Sequence, residues 1–552
     1  MERRRGAGRE SDSVAGAADR PSALVTGRRR TIVDMARIGA RQILDLVLDD
    51  GSFHSWDGPP LRSAQVASVP GYSESLGRAA EKSGVDESVI TGEGTLEGRR
   101  VVIIACEFDF LAGSIGIAAA ERIVGAIERA TAEELPILAS PTSGGTRMQE
   151  GTVAFLQMVK ISAAVAGHKS AGLPYLVYLR HPTTGGVFAS WGSLGHVSVA
   201  EPGALIGFLG PRVYEALYDA PFPEGVQVSE NLAERGMIDG VLPPEGVRDL
   251  TARALRVLCQ DPPSDDEPAP PRGPLTGPSA EAGSIEAAAA DESARPDAWD
   301  AITRSRRPDR PGARDFLARV APDRVPLSGT GQGEDSGALL LSLARFRGQS
   351  AVVLAQDRDA ESEKNPLGPS ALRSARRGMR IAAEMGVPLV LLIDTRGAAL
   401  SREAEEGGLA GEIARSLADL VTLPTPTVSV IMGQGTGGGA LALLPADRVL
   451  CARHGWLAPL PPEGASAILY HETERAPEVA RSQGITSADL QEAGIVDVVV
   501  PERPDAADEP GAFCDRLADA VANAVVEVRR RPPERRYAER ISRYRGLGLP
   551  LE

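Results

Sequence analysis

The chain has 552 residues, an apolar fraction of 42% and a formal charge of −15, from 60 basic and 75 acidic side chains. That length exceeds one hydrophobic core and predicts about three or four domains of ordinary soluble composition; the acidic balance argues against a general nucleic-acid-binding role. Four scattered cysteines (Cys106, Cys259, Cys451, Cys514) without a CxxC pair, and six dispersed histidines, argue against a disulfide framework or a metal site.

Residues 1–30 are rich in Arg, Gly, Ser and Ala and read as a disordered N-terminus. The basic start MERRRGAGRE has no apolar stretch after it, so it is not a secretory signal, and no run of about 18 apolar residues marks a membrane span. A cytoplasmic protein with no membrane partner is expected. Apolar residues recur at helical spacing over 31–50. From 85 to 250 the runs VVIIAC, LPILAS and LPYLVYL alternate with amphipathic segments such as IGIAAAERIVGAIERA, the pattern of an α/β domain. Cys106, inside an apolar run, reads as core. Residues 258–305 are dominated by Pro, Ala, Gly and acidic residues and read as a linker. This predicts an N-terminal domain over 31–257 and a C-terminal domain over 306–552, the latter ending in the basic, helical VEVRRRPPERRYAERISRYRG.

The two α/β stretches repeat one another. LEGRRVVIIACEFDF is matched by FRGQSAVVLAQDRD, and EELPILASPTSGG by MGVPLVLLIDTRGA. LPYLVYLRHPTTGGVFA is matched by TPTVSVIMGQGTGGGALA, and ERGMIDGVLPPE by EAGIVDVVVPE. Four phrases in one order, some 250–260 residues apart, indicate a tandem duplication. Each copy leaves two strands through glycines, which admit positive φ and clear space for a close approach. Such turns serve either as tight strand-to-helix junctions or as cradles whose backbone N–H groups hold a carbonyl oxygen as it gains negative charge. No GxSxG elbow, phosphate loop or GxGxxG at a first βα turn occurs; GQGTGGGA lies late in its copy and lacks the acidic residue about 20 positions on.

At these residues the sequence resembles the carboxyltransferase component of acetyl-CoA carboxylase, a beta-type half fused to an alpha-type half. The resemblance runs through EFDFLAGSIG, TSGGTRMQEG, AGLPYLVYLRHPTTGGVFASWGSLG and AEPGALIGFLGPRV, then through RGMRIAAEMGVPLVLLIDTRGA, EAEEGG, GQGTGGGALALLPADRVL and PPEGASAIL. It implies tandem duplicated crotonase-like α/β domains and transfer of carboxylate from carboxybiotin to an acyl-CoA, with acetyl-CoA giving malonyl-CoA as the default. It implies that Gly185 and Gly186, with Gly144 and Gly145, hold the thioester oxygen. Gly438, Gly439 and Ala440, with Gly397 and Ala398, would hold the ureido oxygen of biotin. Arg147 and Arg212 are candidate substrate-binding residues, the first equally a structural ion-pair partner and the second equally a surface cap. Phe188, with Trp191 nearby, is a candidate for the acyl rim. Glu405 and Glu406 are placed in a polar loop, either on the biotin side or simply solvated. The C-terminal arginines either dock a partner or solvate a helix.

The chain carries no Ala-Met-Lys-Met biotinylation motif, so biotin is expected on a separate biotin carboxyl carrier protein, charged by a biotin carboxylase. A homo-oligomer is expected in which a beta-type half meets an alpha-type half. No metal is expected, because the four-cysteine zinc ribbon common in beta-type halves is missing here. Other departures are Arg396 and Ala399 in DTRGAA, where Pro and Tyr are usual, Thr146 in place of Ala, and Pro461 in place of Ser. A biotin-dependent malonyl- or methylmalonyl-CoA decarboxylase and a non-catalytic scaffold are the competing readings.

Overall fold

Each half opens on an antiparallel hairpin and continues as a parallel sheet. The computed structural model describes residues 37–61, 70–208, 215, 219–259, 295–362, 365 and 367–547. The first half holds β1 (His54–Ser55), β2 (Val89–Leu96), β3 (Arg99–Cys106), β4 (Ile137–Ser140) and β5 (Tyr175–Leu179). It continues with β6 (Thr183–Thr184), β7 (Val197–Ala200), β8 (Ile206–Gly207) and β9 (Gly240–Val241). Seven of these form one sheet in the order β1-β2-β3-β4-β5-β7-β9, and β6 pairs with β8. The second half holds β10 (Val325–Leu327), β11 (Leu339–Phe346), β12 (Gln349–Gln356) and β13 (Leu389–Thr395). After them come β14 (Thr427–Thr436), β15 (Arg448–Ala452), β16 (Trp456–Ala458) and β17 (Val498–Val500). Its sheet runs β10-β11-β12-β13-β14-β15-β17, with β16 added alongside β14.

The hairpin turns are equivalent. Glu97-Gly98 between β2 and β3 and Arg347-Gly348 between β11 and β12 all have positive φ, the two-residue geometry that matches strand twist. From β3 and from β12 onward the strands are parallel. Strands covered on both faces need apolar residues at every position, and YLVYL and LVLLIDT are buried throughout. The helices Ile117–Ala132 and Gly151–Ser170 pack together over the first sheet. Pro369–Met385 packs with Leu409–Val421 in the second half, and Pro510–Arg529 lies against β14 and β15. Cys106, Cys451 and Cys514 are buried, as the apolar surroundings of Cys106 led one to expect.

The halves are joined along a seam. Asp239, from the phrase MIDGV, accepts the N–H of Ser198 at 2.8 Å and pairs with Arg377 of the other half at 2.9 Å. Its counterpart Asp497, from IVDVV, accepts the N–H of Val449 at 2.7 Å and pairs instead with Arg543 at 2.8 Å. Gly236 and Gly329, both at φ near +60°, meet so closely that a Cβ on Gly329 would stand 2.5 Å from the Gly236 Cα.

Three expectations change. The linker assigned to 258–305 ends early: Ala298–Ser305 is a helix whose Ala298 and Ile302 pack with Trp456, because the Ala/acid-rich composition continues into an amphipathic segment. Glu405 and Glu406 lie in a short helix, Arg402–Glu406, begun by the Ser401 side chain accepting the Ala404 N–H. The basic C-terminal helix Pro533–Gly546 is not merely solvated, since Arg540 is wholly buried and binds Asp447 at 2.8 Å. The segments 1–30 and 260–294 lie outside the described residues, and no described helix is long and apolar enough to cross a membrane.

Candidate active site

In both halves the second parallel strand ends in the same hydroxyl-anchored turn. The Gly145 N–H donates to Ser143 Oγ at 3.0 Å, and the Gly397 N–H donates to Thr395 Oγ1 at 3.0 Å. Gly145 and Gly397 have φ of +107° and +128°, a region that other residues enter only under strain. Two residues beyond, the Arg147 N–H donates to the Ile115 carbonyl at 3.0 Å and the Ala399 N–H to the Leu367 carbonyl at 3.0 Å. The equivalent positions 115 and 367, 145 and 397, and 147 and 399 are all separated by 252 (397 − 145 = 252).

The third parallel strand brings a second glycine turn against the first. A Cβ on Gly185 would stand 3.4 Å from the Gly145 Cα, and one on Gly145 would stand 3.9 Å from the Gly186 nitrogen. In the other half a Cβ on Gly439 would stand 3.1 Å from the Ala398 nitrogen and 2.7 Å from Leu367 Cδ2. The spacing of 252 carries Gly185 (φ +66°) onto Gly437 (φ +61°), and therefore Gly186 onto Gly438.

Which N–H groups remain available follows from these bonds. Gly145 and Gly397 spend theirs on their own hydroxyl anchors, and Gly185 donates to the Phe208 carbonyl at 3.0 Å. Gly144 donates to the Ala112 carbonyl at 2.8 Å. The N–H groups of Thr146 and Gly186 have no hydrogen-bond acceptor among the described residues, and the same holds for Ala398. Gly438 and Gly439 stand in the opening turn of the helix Gly437–Leu441, before its backbone ladder begins; Ala440 is the first residue within that ladder. Two adjacent unpaired donors per half can converge on one carbonyl oxygen, the arrangement that stabilises negative charge developing there.

A family model for the carboxyl transferase domain matches residues 35–538. The chain belongs to that family. It is 59% identical over 519 residues to a probable biotin-dependent acyl-coenzyme A carboxylase beta3 subunit of Mycobacterium tuberculosis, covering 94% of this chain and 100% of the relative. It is 37% identical to the acetyl-coenzyme A carboxylase carboxyl transferase subunits beta/alpha of Salinispora arenicola, covering 89% of this chain and 88% of that one. Among solved structures, a transcarboxylase 12S superposes with a TM-score of 0.69 at 20% identity, over 89% of this chain and 90% of that one. The carboxyltransferase fold is therefore the duplicated crotonase-like α/β fold expected from the resemblance.

Within this carboxyltransferase the side chains anticipated from sequence have distinct placements. Gly186 stands beside Met158, whose Cγ would be 3.1 Å from an added Cβ, and its carbonyl accepts from Ser190 Oγ at 2.5 Å. Phe188 is half-buried against the core of its half, whereas Trp191 is wholly buried and lines no rim. Arg147 is placed as the structural ion-pair partner that the sequence left as its alternative. Its guanidinium is wholly buried, pairs with Glu87 at 2.5 Å and donates to the Ser114 carbonyl at 2.6 Å, so it is not presented to a substrate. Glu405 and Glu406 are exposed, Glu406 pairing with Arg402 at 2.7 Å. Arg212 lies outside the described residues. Thr146 was noted only as a departure from the usual Ala, and Gly437 was missed; the spacing of 252 shared by 115 and 367, 145 and 397, and 147 and 399 is the signal that finds Gly437.

Charge is buried beneath the C-terminal cradle. Asp394, at the end of β13, accepts the Gln434 N–H at 2.9 Å and lies 3.2 Å from Arg358; burial holds its carboxyl above the usual carboxylate range against the pull of that guanidinium. Among the described residues no group of three or more His, Cys, Asp or Glu side chains is placed to hold a metal.

Proposed function

We propose that the chain is the carboxyltransferase component of a biotin-dependent acyl-CoA carboxylase. The N-terminal cradle at Thr146 and Gly186 receives the thioester carbonyl, and the C-terminal cradle at Ala398 and Gly438 receives the ureido carbonyl of biotin. The observation that carries this reading is the pair of equivalent cradles, because a reaction confined to one carbonyl would need only one. Acetyl-CoA converted to malonyl-CoA is the substrate reading taken from the more distant acetyl-CoA carboxylase relatives; the 59% identical relative is named only for acyl-CoA.

Biotin, borne on a separate carrier protein and charged by a biotin carboxylase, would supply the carboxyl group. The C-terminal residues fit a planar urea: side chains are absent from Gly437 to Gly439, a Cβ at Gly439 would collide with Leu367, and unpaired N–H groups adjoin. These donors are fixed before the ligand arrives, so they stabilise charge on its oxygen without reorganising. The N-terminal donors do the same for the thioester, whose α-carbon thereby becomes easier to deprotonate.

Exposed apolar side chains flank both cradles: Met148, Phe155 and Val159 in the first half, Leu400, Ile468 and Leu469 in the second. Patches of this kind mark an interface, and they support a homo-oligomer in which one half of each chain covers the other half of a second. The transcarboxylase 12S was described as a hexamer assembly.

The test mixes the purified chain with carboxylated biotin carrier protein and acetyl-, propionyl- or butyryl-CoA and follows the carboxylated CoA product. Product with at least one thioester supports the reading and identifies the preferred acyl group. No product while thioester still binds would favour a non-catalytic scaffold, and loss of carboxyl from malonyl- or methylmalonyl-CoA without transfer would favour a decarboxylase.

A further inference from the structure

The glycine run 437–439 is the part of the C-terminal cradle with no side chain of its own to stiffen it. Its helix, Gly437–Leu441, is too short for every carbonyl to find a partner four residues on. The Ala442 N–H reaches the Gly438 carbonyl at 3.0 Å, but the Leu443 N–H goes to Ala440 at 3.1 Å and the Leu444 N–H to Leu441 at 3.2 Å. The Gly439 carbonyl is passed over. Gln356, the last residue of β12, fills that gap: its Nε2 donates to the Gly439 oxygen at 2.7 Å. Gln356 is 1% exposed, and its Oε1 is buried without a hydrogen-bond partner among the described residues.

A buried amide oxygen left unpaired is unfavourable, so Gln356 satisfies the Gly439 carbonyl while leaving its own Oε1 unsatisfied. A leucine of similar size would remove that orphan but leave the Gly439 carbonyl unpaired in its place. What leucine cannot do is hold the Gly439–Ala440 peptide plane at the end of three glycines that have no Cβ to restrict their backbone. The N-terminal half solves the same problem differently, with Ser190 Oγ on the Gly186 carbonyl.

We propose that Gln356 is a positioning residue of the C-terminal cradle: by holding the Gly439 carbonyl it anchors the Gly439–Ala440 peptide, the fixed end from which the preceding Gly438 and Gly439 N–H groups are aligned toward the ligand oxygen. The inference rests on the reading of that half as the biotin side. Its test compares Gln356→Leu and Gln356→Glu with the wild type in the transfer assay, in thermal unfolding and in backbone amide exchange over residues 433–444. The leucine variant is expected to fold with little change in Tm, one unpaired buried polar group replacing another, and to lose about 10–100-fold in kcat, less than the 10²–10³-fold of an oxyanion donor removed outright. Its KM for acyl-CoA should stay within about 2-fold, because the thioester lies in the other half. Amide exchange over 433–444 should quicken. The glutamate variant should retain partial activity at low pH, where its neutral carboxyl can still donate, and lose it as pH rises while the wild type holds. Wild-type kcat in the leucine variant, or a kcat that falls only in step with Tm, would overturn the proposal. So would unchanged exchange, a measurement needing no turnover, whereas absence of transfer by the wild type would instead overturn the functional reading.

Discussion

Glu384 accepts the Nε2–H of His196 at 3.2 Å, and the two residues come from opposite halves of the duplicated chain. The tautomer is set by Tyr175, whose backbone N–H donates to His196 Nδ1 at 3.1 Å and leaves the proton on Nε2. Burial keeps the His196 ring below its ordinary value, hence neutral at pH 7. Burial pushes the Glu384 carboxyl up, but the hydrogen bond from His196 and the charge of Lys169, 3.4 Å away, outweigh it and bring it to about 2.

The seam is therefore acid-labile in a defined window. A carboxyl at about 2 in the folded state and 4.5 otherwise contributes stability fully above the higher value and loses it as pH falls toward the lower. With partial solvent screening we expect about 1–2 kcal/mol. Urea midpoints of wild type and Glu384→Gln should differ at pH 6–7 and converge near pH 2. A constant gap across that range would assign the stability to something other than ionised Glu384.

The glycines of the two cradles should separate by substrate. Gly186→Ala places a methyl against the movable Met158, and Gly439→Ala places one against Leu367 and the Ala398 nitrogen. Both proteins should fold. The first should weaken acyl-CoA binding or its carboxylation, while the second should leave acyl-CoA binding intact and lose about 10²–10³-fold in transfer. Gly145→Ala and Gly397→Ala, at φ of +107° and +128°, should also lose about 1–3 kcal/mol of stability from backbone strain. Thioester binding by calorimetry, set beside steady-state transfer, distinguishes these outcomes.

Arg147 should behave as a structural cation. It and Glu87 are both wholly buried, so removing either leaves an unpaired charge. Arg147→Met should lose about 3–5 kcal/mol by urea unfolding, and adding Glu87→Leu should recover a large part of that loss. Unaltered stability with a raised KM for acyl-CoA would return Arg147 to the substrate.

Most of the architecture was legible in the residues themselves. LPILAS, LPYLVYL and VPLVLLIDT are continuous apolar runs because parallel strands are covered on both faces, and the four repeated phrases exposed the duplication. Glycines after those strands marked where backbone could come close, since only glycine leaves that space open. The linker boundary was misread because an Ala- and Asp-containing stretch such as Ala298–Ser305 has the composition of a linker and the periodicity of a helix.

The sequence by itself thus determined the fold, the duplication and the neighbourhood of both cradles, because apolar periodicity and glycine are local signals. Only the tertiary structure decided which donors are available. Gly145 and Gly397 are occupied by their own hydroxyl anchors, leaving Thr146 and Ala398, because a hydrogen bond can be counted only when its competitors are in place. It also decided that Arg147 belongs to Glu87 and that Gln356 belongs to Gly439, partners 60 and 83 residues away in the chain. A side chain's charge and size are written in the sequence; what lies opposite it depends on how strands and helices pack.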